Sequence, residues 1–162
     1  AQRAQLFANL GSGRFEDWSV ANAGLCGQAA VGRSLAVGDL DQDGMPDLVV
    51  GGVGGPVLLY RNVAPREGRW LRVRVVDPGC GGRDAIGAEV IVRTDTGTWW
   101  QVLQPATSYL ASHEPVLHFG LGRTGDLRGI EVRWPDGSTE EFPPGTAERT
   151  AVLRKGEGRL RP

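Results

Sequence analysis

The sequence predicts an all-β fold: propeller-blade-like antiparallel hairpins, followed by a small antiparallel β-sandwich or barrel-like domain. Three observations lead there. The 25 Gly and 10 Pro are distributed throughout and break the chain, about every eight to twelve residues, into short runs rich in Val, Leu, Ile and Trp. Several of those runs alternate strictly between apolar and polar residues, the period of a strand with one dry face. Only "VANAGL", residues 20–25, has a helical pattern, and it lasts for about one turn.

Taken in order, the first strand candidates are "LFANL" and "FEDWSV", then "RSLAVGDL", "PDLVVGG" and "VLLYRN". "LFANLGSGRFEDW" echoes "LLYRNVAPREGRW" at an interval of about 53 residues, which fits the period of propeller-type repeats. Polar and turn residues interrupt the pattern at 62–69, so the expected organisation is a segment 1–65 and a second domain 66–162. There "WLRVRVV" sets Leu71, Val73 and Val75 on one face and Arg72 and Arg74 on the other. "GAEVIVRT", "TWWQVLQ", "VLHFGL", "IEVRWPDGSTEEF" and "RTAVLRK" follow, with Ile130, Val132 and Trp134 alternating with Glu131 and Arg133 before a Pro-Asp-Gly turn.

At 162 residues the chain is long enough to bury roughly two thirds of its unfolded surface. Net charge is −1, divided as −2 over 1–65 and +1 over the remainder, so neither part has the basic footprint of a nucleic-acid-binding protein. No apolar stretch approaches the twenty or so residues that cross a bilayer, and no membrane insertion is expected. The chain opens on Ala without the basic-then-apolar layout of a signal peptide, as a processed or excised chain would. Cys26 and Cys80 each lie among glycines in loop sequence, where a disulfide and two separate thiols are both open.

The chemistry concentrates in "GDLDQDGMPDLVVGG", residues 38–52. Asp39, Asp41, Asp43 and Asp47 occupy positions 1, 3, 5 and 9 of a loop, with Gly44 at position 6 for the sharp turn and Met45 at position 7 offering its backbone carbonyl. Like charges at this spacing repel unless a cation neutralises them, and hard oxygen ligands suit Ca²⁺. An EF-hand needs a Glu at position 12 and flanking helices; here position 12 is Val50 and the flanks read as strands, so the expectation is a calcium loop in a β-hairpin. The rival is a metal-free polar turn.

These residues resemble an FG-GAP or VCBS repeat, whose D-x-D-x-D-G-x-x-D loop binds calcium in β-propeller blades. The resemblance assigns Asp39, Asp41, Asp43, Asp47 and the Met45 carbonyl as ligands. "WLRVRVV", "RDAIGAEVIVRT", "SYLASHEPVLHFGLG" and "IEVRWPDGSTEEF" resemble, in order and spacing, the ASPIC/UnbV domain of cartilage-acidic-protein-like secreted proteins, which follows FG-GAP repeats. It implies a secreted, periplasmic or cell-surface module, calcium-dependent, that binds a protein or glycan without catalysis, with missing propeller repeats or another protomer as neighbours. Two rivals stand beside it. One is an accessory or tailoring protein of natural-product biosynthesis; the other is a structural cap of a larger propeller.

Within the second part, Asp84 is placed to bond the turn backbone, Gly87 to meet a backbone demand and Ile86 to anchor the core. His118 reads as a core or hairpin histidine and His113 as a loop residue, and no Ser-centred elbow accompanies them, so no catalytic residue is expected. Trp99 and Trp100 are adjacent on a strand and must point to opposite faces. One indole is expected outside, where with Tyr109 it forms a candidate platform for sugar or protein contact.

Overall fold

In the computed structural model, residues 1–123 and 126–161 are described. The first part contains β1 (Gln2–Arg3), β2 (Phe7–Gly11), β3 (Arg14–Asp17), a one-turn helix α1 (Ala23–Cys26) and β4 (Ala29–Ala30). β2 and β3 form a hairpin, and β4 pairs back on β1. Then β5 (Gly32–Gly38), β6 (Asp47–Gly52) and β7 (Leu58–Tyr60) make a three-stranded antiparallel sheet, the blade-like unit expected. The acidic loop joins β5 to β6.

The second part comprises β8 (Arg69–Asp77), β9 (Arg83–Asp84), β10 (Glu89–Thr94), β11 (Thr98–Val102), β12 (Leu117–Gly122), β13 (Leu127–Arg133), β14 (Thr139–Phe142), β15 (Arg149–Arg154) and β16 (Arg159–Leu160). One sheet runs β11-β10-β13-β14-β16, and the other β12-β8-β15 with β9 on β8. Leu71, Val73 and Val75, with Phe119 beside them on β12, face Val90, Val92, Ile130, Val132 and Trp134 of the other layer across a continuous apolar core. Burying side chains of this size contributes about 1.5–3 kcal/mol each before chain entropy is charged against it.

This is a sandwich and not a closed barrel, and it is not antiparallel throughout. β15 runs parallel to β8, in register from Arg149 opposite Leu71 to Arg154 opposite Val76. A parallel neighbour needs a long connection, which the intervening strands of both sheets provide.

Other expectations are corrected by packing. Ile86 is exposed, and the smaller Ala85 and Ala88 fill the core at that turn. Asp84 spends its carboxylate on Arg74, at 2.6 and 3.3 Å, instead of on the turn backbone. Gly87 does meet a backbone demand, at φ +91°. Cys26 is buried and Cys80 exposed, and they are separate thiols.

Candidate metal centre

Asp39 follows β5 directly and Asp47 opens β6, so the hairpin itself sets the ends of the loop. Between them the chain turns through left-handed conformations at Gln42 (φ 59°) and Gly44 (φ 87°). The carboxylates hold this turn. Asp39 Oδ1 accepts from the Asp43 amide at 3.1 Å, and its Oδ2 from the Gly44 amide at 2.9 Å. Asp43 Oδ1 accepts from the Met45 amide at 2.9 Å. One carboxylate oxygen from each of Asp39, Asp41 and Asp43 lies within 4.8 Å of the others, a separation one cation can span.

Asp47 is more buried than Asp39 but stands apart from that cluster. Its two oxygens accept from the backbone amides of Leu40 at 3.0 Å and Asn62 at 2.8 Å, tying β6 to both the loop and the chain beyond β7. Three guanidiniums meet the loop. Arg61 lies 2.5 Å from Asp41 and 3.9 Å from Asp43, Arg66 donates to the Asp43 carbonyl, and Arg72 reaches Asp39 Oδ2 at 3.1 Å.

Arg72 belongs to the sandwich, and sequence reasoning missed it. Alternation puts its side chain on the wet face of β8, yet that face is covered and Arg72 is only 5% exposed. What covers it is the acidic hairpin. Arg72 also reaches Glu114 at 2.5 Å, and Glu114 accepts from the Asp39 amide at 3.1 Å, closing a ring of three residues. The rest of the seam follows the β5 edge: Leu35 donates to Ser108 Oγ at 3.2 Å and Val37 to His113 Nδ1 at 3.0 Å, while Val37 accepts from the Glu114 amide at 3.1 Å.

Both histidines serve this seam. Because His113 Nδ1 accepts, its Nε2 carries the proton and donates to Thr107 Oγ1 at 2.6 Å. His118 Nε2 donates to the Gly44 carbonyl at 2.7 Å, and its ring stacks on Trp70 with centroids 6.3 Å apart. Trp70 in turn presses on Gly44 so closely that a Cβ there would lie 2.0 Å from Cε2 of the indole. Gly44 therefore answers two demands, a left-handed turn and a close approach.

The proposed aromatic platform divides. Trp99 packs against the core, whereas Trp100 is 57% exposed on the opposite face of the sheet. Tyr109 is exposed in the Ser108–Ala111 bridge beside β5.

The model of the family described as "ASPIC and UnbV" matches residues 79–160, and that of the "FG-GAP-like repeat" matches residues 1–50, which takes in the whole acidic loop. Cartilage acidic protein 1 of Mus musculus is 34% identical over 126 residues, covering 75% of this chain and 19% of the relative. The Homo sapiens protein of the same name is 33% identical over the same span, and that of Xenopus tropicalis 34% over 110 residues, 65% of this chain. The chain thus spans about a fifth of the length of these relatives. With an FG-GAP-like acidic hairpin seated on a sandwich that the family model matches over residues 79–160, from β9 to β16, the chain belongs to the ASPIC and UnbV family.

Proposed function

We propose that this chain is a calcium-stabilised, extracytoplasmic binding module with no catalytic role, engaging a protein or glycan partner. The observation that carries it is the convergence of Asp39, Asp41 and Asp43 in a loop of FG-GAP-like type. Asp39, Asp41 and Asp43 hold the ion, with the Met45 carbonyl and Asp47 completing an oxygen set. The kinship with cartilage acidic proteins and FG-GAP repeats supports an extracellular setting.

Calcium acts here on the fold. The loop's carboxylates crowd against one another, and a divalent ion turns that repulsion into a crosslink between β5 and β6. A non-catalytic role is supported by the histidines: the Val37 amide occupies His113 Nδ1, so Nε2 donates to the Thr107 hydroxyl and cannot take its proton, and His118 is bonded to the Gly44 carbonyl. Titrating EDTA-stripped protein with CaCl₂ is expected to give saturable heat. At a free concentration 100 times the dissociation constant the gain is about 2.7 kcal/mol, which raises the melting temperature by roughly 5–10 °C. Absence of both the heat and the thermal shift refutes the proposal.

A further inference from the structure

The outer face of the five-stranded sheet carries a feature the acidic loop does not explain. Glu131 lies mid-strand on β13 facing outward, yet it is only 1% exposed. Three guanidiniums bury it: Arg161 at 2.6 Å, Arg93 at 2.9 Å and Arg133 at 3.4 Å. Burial alone would raise the Glu131 carboxyl, but the hydrogen bond and charge of Arg93, together with the charges of Arg161 and Arg133, outweigh it and keep the group ionised. One carboxylate thus orients Arg93 of β10, Arg133 of β13 and Arg161 just past β16, and cannot neutralise them all.

Beside this cluster a groove of about 520 Å³ opens between β10, β13, β14 and β16, lined by Arg93, Arg128, Arg159 and Arg161 with Pro143 and Pro144. Among the described residues Arg159 has no ion-pair partner, and Arg128 has only Asp95 at 3.9 Å. Glu141 stands 3.7 Å from Arg161. Within the groove, then, four guanidiniums share the one lining carboxylate, Glu141, with Glu131 buried beside it under Arg93 and Arg161. Glu89 and Asp95 lie at the margins. On the far side of the same face Trp100 lies over the sheet, its indole N–H donating to Glu89 at 3.3 Å, and Glu89 also takes Arg133 at 3.5 Å. From β11 to β16 the strip crosses four inter-strand steps, about 19 Å.

We infer that this arginine-lined strip binds the sulfate groups of a linear sulfated polysaccharide. A sulfate ester stays ionised, is weakly hydrated and offers three splayed acceptor oxygens, which suits weakly hydrated guanidiniums reaching it from β10, β13 and β16. The groove lies open on the face of the sheet, and the exposed Trp100 indole supplies an apolar face for a sugar ring. Nucleic acid is disfavoured because the strip offers one exposed indole, that of Trp100, where single-strand binders stack successive bases on several aromatic side chains.

The test is surface plasmon resonance of the full chain on immobilised dextran sulfate, with unsulfated dextran, polygalacturonate and a DNA oligonucleotide as comparison surfaces. Binding to dextran sulfate that weakens with rising salt is expected, with little on the other three. The double variant Arg128→Gln/Arg159→Gln touches neither Glu131 nor the core; it should lose at least tenfold in affinity at an unchanged melting temperature, and Trp100→Ala several-fold. No binding to dextran sulfate, binding undiminished in the double variant, or equal binding to polygalacturonate or DNA would overturn the assignment. Binding is expected to persist in EDTA. Loss there would place the ligand at the acidic loop and also overturn it, while a failed calcium titration leaves it intact.

Discussion

Arg72 and Arg74 are two residues apart on the same face of β8, and their removal has very different costs. Arg74 pairs with Asp84 at the surface, and exposed pairs contribute about 0–1 kcal/mol, so Arg74→Ala should barely move a urea midpoint. Arg72→Leu leaves Asp39 and Glu114 facing each other in a dry seam. Breaking a buried pair from one side costs about 3–5 kcal/mol, and urea unfolding in EDTA should show a loss of that size. Glycines allow a similar contrast. Gly44 and Gly137 share a φ of 87°, so alanine at either pays a left-handed strain of about 1–2 kcal/mol. At Gly137 nothing lies within 4 Å of the added methyl; at Gly44 it runs into Trp70. Gly44→Ala should therefore cost about 3 kcal/mol or more by thermal unfolding, and Gly137→Ala only the strain.

At the scale of elements, the two-residue period was a sound guide wherever a strand has one neighbour layer. It places Leu71, Val73, Val75, Ile130, Val132 and Trp134 inside, as found. It separates Trp99 from Trp100 as well. Trp99→Ala should cost about 2–4 kcal/mol and Trp100→Ala no more than about 0.5, a difference that calorimetry of the two variants resolves. The carboxylate spacing of the acidic loop was equally legible, because turn geometry and ligand geometry are both local. Periodicity fails at Arg72 and Glu131, two charges on nominally wet faces that other chain segments cover. Arg72 meets Asp39 and Glu114 across separations of more than thirty residues, and Glu131 meets Arg93 and Arg161 at 38 and 30. No single-strand pattern reports such pairings. The polar seam of Ser108, His113 and Glu114 along β5 was hidden for the same reason, in a stretch whose sequence reads as ordinary loop.

Across the whole molecule, burial is divided unevenly. Every member of the apolar core lies between Leu71 and Leu153, while in residues 1–65 the buried side chains among the described residues are Cys26, Asp39 and Asp47. Phe7, Leu10, Phe15 and Trp18 of the first ribbon are about half exposed or more. A segment whose interior is made of carboxylates has little hydrophobic driving force of its own. Residues 66–162 expressed alone are expected to melt cooperatively, and residues 1–65 alone to show no melting transition in EDTA by circular dichroism. A cooperative transition in the isolated 1–65 fragment would show that it needs neither the sandwich nor an ion.

The parallel pairing of β15 with β8 has a consequence during synthesis. β8 is among the first strands of the sandwich to leave the ribosome, and its β15 neighbour among the last, 78 residues later by the register of Leu71 with Arg149. Until that stretch emerges, one edge of β8 has no partner and the nascent chain carries a strand open to pairing with other chains. A product that terminates before residue 149 would keep that edge for good, so emergence of residues 149–154 is the step that makes the newborn strand safe from its neighbours.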